Sequence, residues 1–370
     1  MSPEKKNGKS IGLAIVGGGK VGRIRGGCAR NYPGVEWIGV CDIDEKVGKK
    51  LTEDLQADFF TTDYKELLKR PEVNTSIIAT FENEHVDPIL ASLEQGHDLM
   101  LEKPLATNAV ESAKILKTIE EAGVDAVVGY TQRFRRRFLI AKEKVRTGEL
   151  GEITSVTTRA FMNRAAPMWS LGKTEYRTKL TPMVVSGTHS LDISLWIMGD
   201  KKPVELYARA VNKTLGSIGT QDATFGIFTF EDGSIWSMSM SWALPTAWPA
   251  STYSLEVGIV GTEGVLTIDD THRDIVLATE RTHSTHRAKE EKNVSFLESY
   301  PPGDISMGGF WGPMREETTA WLTRLYMGIE TPHATAAEGH RNLVLTKAMD
   351  LAAKRGKVLS LPVDPEELEA

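Results

Sequence analysis

The first third of the chain alternates short apolar runs with amphipathic stretches. The apolar runs at residues 11–17, 37–42, 75–80, 98–102 and 124–130 predict strands. The stretches at 20–31, 44–55, 86–95 and 108–121 have helical spacing, and a glycine follows the last two, at Gly96 and Gly123. This β-α-β-α order predicts a parallel sheet with helices on both faces.

The pattern changes after a basic helical stretch at residues 135–146. Strands are then predicted at 155–161, 204–211, 223–230, 234–241, 253–260 and 265–268, with a hairpin turn at Glu231-Asp232-Gly233. Few helices interrupt this run; the main one covers 188–198, and a last helix covers 336–355. The second region therefore predicts a largely antiparallel sheet with helices to one side.

With 370 residues, the chain is long enough for two domains. We expect them at 1–131 and 132–370, with the C-terminal helix able to pack back on the first domain. No segment has the length of a membrane span, and residues 1–10 are polar, unlike a signal peptide. The two cysteines, Cys28 and Cys41, lack metal or redox spacing. These features predict a soluble cytoplasmic protein with reduced thiols in its core.

The charge balance argues against a nucleic-acid partner, because a formal net charge of −6 repels phosphate backbones. The basic run at residues 133–137, with the exception of Arg133, then indicates a solvated helix face. His272, His283 and His286 lie close together in sequence, but no well-spaced carboxylate completes a metal site. We therefore expect no bound metal.

Residues 17–22, GGGKVG, fit the pattern G-x-G-x-x-G between a predicted strand and a predicted helix. The first glycine permits a tight turn, the second lets the backbone approach a diphosphate, and the third lets the helix pack on the strand. Free N–H groups at the helix start then face the diphosphate. The motif predicts dinucleotide binding by Gly17, Gly19, Lys20, Val21 and Gly22.

Asp42 ends the next predicted strand, twenty positions after Gly22. A carboxylate there accepts hydrogen bonds from both ribose hydroxyls of NAD, and it repels the 2′-phosphate of NADP. The sequence therefore predicts NAD as the cofactor.

The segment LMLEKPLA at residues 99–106 resembles the signature of the Gfo/Idh/MocA family, the glucose–fructose oxidoreductases and inositol dehydrogenases. The segment IIAT at 77–80 resembles the strand and loop that line the cofactor in that family. Residues 148–153 and 261–264 resemble its interdomain junction and a late hairpin. The resemblance implies cofactor contacts from Thr80, Asn83, His85, Glu102 and Lys103.

The resemblance also implies an open, mostly antiparallel second sheet, whose free face commonly forms homodimer or homotetramer contacts. It implies hydride exchange between the nicotinamide and a secondary alcohol of a sugar, inositol or related polyol. Lys103 would lie beside the nicotinamide, where its ammonium stabilises a developing alkoxide.

Residues 185–192, VSGTHSLD, resemble the family's aspartate-x-x-x-histidine-x-x-aspartate helix. The resemblance makes His189 the general acid and base, with Thr188 and Asp192 near the substrate. Valine replaces the family's first aspartate at Val185, so His189 relies on Lys103 alone, on Thr188, or on Asp192 one turn away. Two further substrate contacts are expected, from Arg133 and from Trp311 in a glycine-rich loop.

Three functions fit these residues. The first is an NAD-dependent dehydrogenase acting on a sugar, inositol or sugar-like diol. In the second, a lyase or isomerase, a sugar carbon is transiently oxidised by bound NAD and then reduced back. The third is a non-enzymatic NAD sensor on the same fold, which the missing aspartate at Val185 favours and the presence of Lys103 and His189 opposes.

Overall fold

The structure is a computed structural model that describes residues 10–165, 167–168, 180–199, 201–270, 275–283, 291–297 and 300–369. Its strands are β1 (Ile11–Val16), β2 (Val35–Cys41), β3 (Phe59–Thr61), β4 (Thr75–Ile78), β5 (Asp98–Leu101), β6 (Ala126–Val128), β7 (Ile153–Asn163), β8 (Pro203–Val211), β9 (Ala223–Phe230), β10 (Ile235–Leu244), β11 (Thr252–Gly261), β12 (Val265–Asp269), β13 (Val276–His283), β14 (Lys292–Phe296), β15 (Asp304–Ser306), β16 (Gly309–Trp311), β17 (Ala334–Thr335) and β18 (Leu359–Ser360).

The α-helices in the described ranges are α1 (Lys20–Arg30), α2 (Glu45–Leu55), α3 (Tyr64–Leu68), α4 (Val86–Glu94), α5 (Ala109–Ala122), α6 (Arg136–Arg146), α7 (Thr188–Met198), α8 (Pro313–Met327), α9 (Ala336–Arg355) and α10 (Pro365–Glu369). Two 3₁₀ turns lie at Thr131–Phe134 and Gly216–Ile218, and a π-helical turn at Met183–Gly187 runs directly into α7. Most bounds agree with the sequence pattern within a few residues.

The chain forms two compact units. The first contains the residues up to Phe134 together with Phe310–Arg341, and the second contains Arg135–Gly309 together with the residues from Asn342 onward. The contiguous division expected at residue 131 differs from this in one segment, because residues 310–341 pack with the first unit.

The first unit is built on a parallel sheet in the order β3-β2-β1-β4-β5-β6, and β17 adds one antiparallel strand beside β6. All residues of β1 and β4 are buried, as expected for strands covered on both faces. Their order reverses between β1 and β4, so the loops after these two strands meet at the switch point where doubly wound sheets bind ligands.

Residues 310–341 belong to this unit because they complete its core and its charge pairing. Trp321 and Leu322 of α8 are fully buried in one cluster with Ile11 and Leu13 of β1. Arg324 donates from Nε to Asp125 Oδ2 at 2.6 Å. The sequence pattern gave no helix at residues 313–327, although Pro313 at its start and Gly328 at its end are ordinary helix boundaries.

The second unit is built on a sheet in the order β12-β11-β7-β10-β9-β8-β18. Only β7 and β10 pair in parallel among its described strands; the other neighbours are antiparallel. On β9 the two faces differ, since Phe228 and Phe230 are buried whereas Phe225 and Ile227 are each 50% exposed. The expected mostly antiparallel sheet is therefore present.

Residues 272–293, for which the sequence pattern predicted no strand, contain most of a hairpin formed by β13 and β14. Residues 271–274 and 284–290 lie outside the described ranges. Where side chains are described, β13 and β14 are mostly exposed, which explains the weak hydrophobic pattern.

Two further expectations concern membranes and thiols. Within the described ranges, the structure has no helix that combines the length and the apolar character needed to cross a membrane. Cys28 and Cys41 are both free thiols, and burial raises the pKa of Cys41 to about 12. At neutral pH the Cys41 thiol is therefore protonated and a poor nucleophile.

Candidate functional site

The glycine loop between β1 and α1 has the shape that the sequence motif predicts. Gly17 has a φ of +103°, and a Cβ there would lie 2.5 Å from the carbonyl oxygen of Ala79. A Cβ at Gly22 would lie 1.9 Å from the carbonyl oxygen of Gly17. Both positions therefore require glycine, one for the turn and one for the packing of the helix on the strand.

Gly19 differs from these two, because a Cβ on it would meet no atom within 4 Å. It is the N-cap of α1 and provides no side-chain cap. The first N–H groups of a helix have no partners within the helix and attract anions. Lys20 is exposed and Val21 is half-buried in this first turn. The loop thus leaves open the approach that a dinucleotide phosphate needs, and its residues fit NAD.

Asp42 stands at the end of β2, beside this loop. Its Oδ2 accepts a hydrogen bond from the backbone N–H of Gly18 at 2.7 Å, and its Oδ1 accepts one from Asp44 N at 2.8 Å. These two bonds fix the orientation of a half-buried carboxylate next to the phosphate loop. The position is consistent with the ribose-binding role expected from the spacing.

The loop after β4 carries Thr80, Asn83 and His85. A Cβ on Gly17 would come within 2.9 Å of Thr80 N, so this loop adjoins the glycine turn. Thr80 Oγ1 and His85 Nδ1 lie 2.8 Å apart in a hydrogen bond. Burial lowers the pKa of His85 to about 4, so its ring is neutral near pH 7. Asn83 lies apart from this pair: it is exposed and donates to Glu84 Oε1 at 2.6 Å.

Glu102 and Lys103 follow β5 directly. Glu102 Oε1 accepts a hydrogen bond from Nε of the fully buried Arg25 at 2.6 Å. Arg25 also donates from Nη2 to Glu317 Oε2 at 2.9 Å. Lys103 is half-buried, and its charge contributes to the low pKa of His85. Glu102 is therefore held by an internal ion pair, whereas its neighbour Lys103 lies close to the residues after β4.

Arg133 and Trp311 were expected to touch substrate, and both lie in the first unit. Arg133 is 1% exposed and makes a two-pronged ion pair with Glu338, with N–O distances of 2.9 and 3.1 Å. Trp311 is 53% exposed, and the Arg315 guanidinium lies 4.2 Å from its ring centre. Of the two side chains, Trp311 is the accessible one.

The expectation of a solvated helix face, from which Arg133 was excepted as a substrate contact, was wrong for Arg135. Arg133 is buried against Glu338, and Arg135 is 6% exposed and pairs with the fully buried Asp270. Arg137 bonds the same carboxylate from a more exposed position. Arg133, Arg135 and Arg137 therefore form ion pairs within the protein. Their partners are far away in sequence, so a pattern of neighbouring residues does not reveal them.

In the second unit, α7 carries Thr188, His189 and Asp192. Thr188 and Asp192 are buried and His189 is half-buried. The π-helical turn at Met183–Gly187 extends the helical backbone before α7. Asp192 accepts a hydrogen bond from Asn342 Nδ2 at 2.8 Å.

Val185, which replaces the family aspartate, is packed beside Leu180, Val184 and Leu343.

Burial raises the pKa of Asp350 to about 7, and this carboxyl accepts a hydrogen bond from Thr181 Oγ1 at 2.5 Å. Sequence reasoning missed Asp350 and Asn342, because both come from α9, far along the chain. A search for polar residues on the buried face of α9 would have found them.

The three histidines close together in sequence cannot be described as a group, because His272 and His286 lie outside the described ranges. Among the residues that are described, no three His, Cys, Asp or Glu side chains are placed to share a metal ion.

Two family models match the chain one after the other. Residues 11–130 match the model described as "Oxidoreductase family, NAD-binding Rossmann fold", and residues 138–267 match "GFO/IDH/MocA C-terminal domain". The chain belongs to the Gfo/Idh/MocA family of oxidoreductases. Family membership confirms the resemblance inferred from Glu102-Lys103-Pro104, the Rossmann fold of the first unit and NAD as the cofactor.

Proteins whose names indicate different reactions resemble the chain. The 2,7-anhydro-N-acetylneuraminate hydratase of Mediterraneibacter gnavus is 28% identical over 70% of this chain and 68% of its own length. The scyllo-inositol 2-dehydrogenase (NAD(+)) of Bacillus subtilis is 23% identical over 70% of this chain and 73% of its own length. The crystal structure of GenD2 from gentamicin A biosynthesis in complex with NAD superposes with a TM-score of 0.80 at 21% identity, covering 96% of this chain and 97% of that one.

Proposed function

We propose that this protein is an NAD-dependent dehydrogenase that moves hydride between the nicotinamide and a secondary hydroxyl of a sugar, inositol or sugar-like diol. The observation that carries the proposal is the open glycine loop at the start of α1, with the Asp42 carboxylate bonded to its backbone. The inositol dehydrogenase among its relatives supports the substrate class.

Bound NAD supplies the hydride acceptor or donor. In this proposal, the loop and Asp42 hold the dinucleotide, together with the residues after β4 and β5. The Lys103 ammonium donates a hydrogen bond to the reacting oxygen and stabilises its developing negative charge. His189 takes up or returns the hydroxyl proton. Thr188, Asp192 and Trp311 contribute to substrate binding, and Arg133 supports this region through its pair with Glu338.

The test is NADH formation across a panel of sugars, inositols and other polyols. Lys103→Ala should lower kcat about 10²- to 10³-fold, the usual effect of removing one donor to a developing oxyanion. Lys69→Ala, which removes an exposed lysine of the same unit, is the matched control and should leave kcat unchanged. Undiminished turnover in Lys103→Ala would overturn the role given to this lysine.

A second candidate is a reaction in which a sugar carbon is oxidised, a neighbouring bond is broken or formed, and the carbon is then reduced again. The hydratase among the relatives favours it. Product formation without release of NADH, abolished by Lys103→Ala, distinguishes this reaction from net oxidation.

We also propose that the outer face of the second sheet binds a second copy of this chain. Tyr207, Phe225 and Ile227 are 36%, 50% and 50% exposed there, although a solvated sheet face is normally polar. Light scattering should show a dimer or tetramer, and Phe225→Asp should shift it toward monomer. A wild-type monomer at micromolar concentration would overturn this assignment.

A further inference from the structure

A single buried arginine joins four parts of the first unit. Arg25 of α1 is 0% exposed and donates to Glu102 Oε1 from Nε, to Thr318 Oγ1 from Nη1 at 3.0 Å, and to Glu317 Oε2 from Nη2. Thr131 Oγ1, in the 3₁₀ turn that follows β6, donates to the same Glu317 oxygen at 2.9 Å. The guanidinium thus connects α1, the end of β5 and α8, and through Glu317 it reaches the turn after β6.

A buried guanidinium and two buried carboxylates are tolerated only when they are paired, because desolvating an isolated charge is costly. Burial alone would lower the pKa of Arg25, but Glu102 and Glu317 raise it above its ordinary value. Burial raises the pKa of Glu317 despite the opposing effect of Arg25. The cluster therefore has a permanent positive centre whose main function is to hold two carboxylates.

One of those carboxylates belongs to the residue immediately before Lys103. The side chain of Glu102 is 11% exposed, so its position is set by the bond to Arg25 rather than by solvent. Arg25 also compensates the charge of Glu102, the residue adjacent to Lys103 in the chain. Both effects, geometric and electrostatic, converge on the lysine that the proposed function places at the reacting oxygen.

We propose that Arg25 is a positioning residue that acts on Lys103 through Glu102, fixing the backbone from which the lysine extends and shielding its ammonium from the Glu102 charge. This proposal rests on the proposed function for the step it affects. The charged and titratable neighbours that bear on it are Glu102, Glu317, His333 and Cys28 around Arg25, and His85 near Lys103.

A simpler role would be to dock α8 onto the sheet, and the molecule offers a matched control for that role. Arg324 of the same helix pairs with Asp125 at 2.6 Å, in the loop before β6, and it does not contact Glu102. Arg324→Met therefore removes a docking ion pair without disturbing the residue before Lys103. The comparison separates stability from positioning.

The experiment compares Arg25→Met, Arg25→Lys, the double variant Arg25→Met/Glu102→Gln, and Arg324→Met. For each folded protein, kcat and KM are measured with NAD and the best polyol of the panel, and kcat is followed against pH. A displaced catalytic group commonly lowers kcat about 10²-fold, so Arg25→Met should lose about 10- to 100-fold in kcat with KM within about threefold.

The electrostatic part of the proposal can be measured without enzymatic turnover. The protein is labelled with ¹³C at lysine Cε for NMR. The resonance that is missing from the spectrum of Lys103→Arg belongs to Lys103, and its shift with pH gives the pKa of Lys103. Arg25→Met should raise this pKa by about one unit, since a nearby uncompensated carboxylate stabilises the ammonium. Glu102→Gln in the same background should reverse the rise, and Arg324→Met should leave it unchanged.

Arg25→Lys keeps the positive charge but not the planar, forked set of donors of the guanidinium. In this variant the pKa of Lys103 should stay at its wild-type value, and kcat should fall in part. It also carries the test if Arg25→Met does not fold. Equal kcat losses in Arg25→Met and Arg324→Met, with an unchanged Lys103 pKa, would overturn the proposal. If no polyol is oxidised by the wild type, the proposed function fails, while the lysine titration still decides whether Arg25 controls Lys103.

Discussion

Two groups of carboxylates, one in each unit, are held by different kinds of donor. In the first unit, two carboxylates pair with buried arginines: Glu102 of the Glu102-Lys103-Pro104 triplet with Arg25, and Glu338 with Arg133. In the second, the carboxylates on and beside α7 are bonded by neutral donors, Asp192 by Asn342 and Asp350 by Thr181.

This difference suggests a division of tasks. Ion pairs with arginine keep their charge at any physiological pH, which suits a region that must hold a charged dinucleotide in a fixed field. Neutral donors leave the protonation state of a nearby group free to change, which suits the proton transfer that the proposed function assigns to His189. We therefore expect changes in the second unit to alter chemistry and pH response, and changes around the loop to alter cofactor choice.

The largest expected effect tests the proton transfer proposed for His189 in the second unit. His189→Ala should lower kcat about 10²- to 10⁴-fold, the usual contribution of a general acid or base, and leave the Kd for NAD within about twofold. His340→Gln is the control, because His340 bonds Ser112 in the first unit. Steady-state kinetics and calorimetry measure the two quantities. An unchanged kcat in His189→Ala would remove the catalytic role from α7.

The next effect concerns the fixed field around the loop. Asp42→Asn keeps an acceptor for the Gly18 N–H but removes the charge, so the ratio of Kd values for NADP and NAD should fall about 10²-fold. Asp44→Asn, which alters the N-cap of α2 instead, should leave this ratio unchanged. Calorimetric titration with both dinucleotides provides the measurement. A wild-type protein that binds NADP more tightly than NAD would contradict the ribose-binding role predicted for Asp42.

A smaller effect tests the neutral partner in the second unit. Asn342→Leu leaves the fully buried Asp192 without its amide donor, and the free energy of unfolding should fall by about 1–3 kcal/mol. Asn212→Ala, at an exposed position of the same unit, should change it by less than about 0.5 kcal/mol. Denaturant titration measures both. Equal stability of Asn342→Leu and wild type would show that Asp192 does not depend on this bond.

The smallest effect is a pair of opposite pH dependences. Burial lowers the pKa of His333 in the first unit to about 3, so its contribution to stability is present above about pH 6.5 and is lost as the pH falls toward 3. The pKa of Asp350 is raised to about 7, so its contribution is present below about pH 4 and is lost as the pH rises through 7.

Relative to wild type, His333→Gln and Asp350→Asn should therefore change the slope of unfolding free energy against pH in opposite directions, each by up to about 1 kcal/mol per pH unit. Chemical denaturation between pH 4 and pH 8 measures the slopes. Parallel curves for both variants and wild type would refute this difference between the units.

The sequence alone was sufficient for the cofactor loop because its chemistry is local. The glycine spacing is set by residues within a few positions of each other, and the structure has the turn at Gly17 and the close packing at Gly22 as expected. The partners around the site are not local. Arg25 and Glu317 are 292 positions apart, and Asp192 and Asn342 are 150 apart, so no periodicity or spacing rule brings them together.

The helix at Pro313–Met327 was missed for a related reason. Its buried side includes polar residues, Glu317 and Thr318, which a hydrophobic pattern counts as exposed. The buried Arg25 and Thr131 make that face compatible with an interior position, because they donate hydrogen bonds to it. Single-sequence reasoning therefore fails most where a charge on one segment is neutralised by a distant one.

The late return of residues 310–341 to the first unit affects how the protein forms during translation. When residues 1–134 have emerged from the ribosome, the six parallel strands have been synthesised. Helix α8, strand β17 and the Glu317 carboxylate that pairs with Arg25 have not. Domains usually fold as units while synthesis proceeds from the N-terminus. Here the N-terminal domain reaches its final core only after most of the chain has emerged, so a fragment ending near residue 134 should be poorly folded and prone to aggregate.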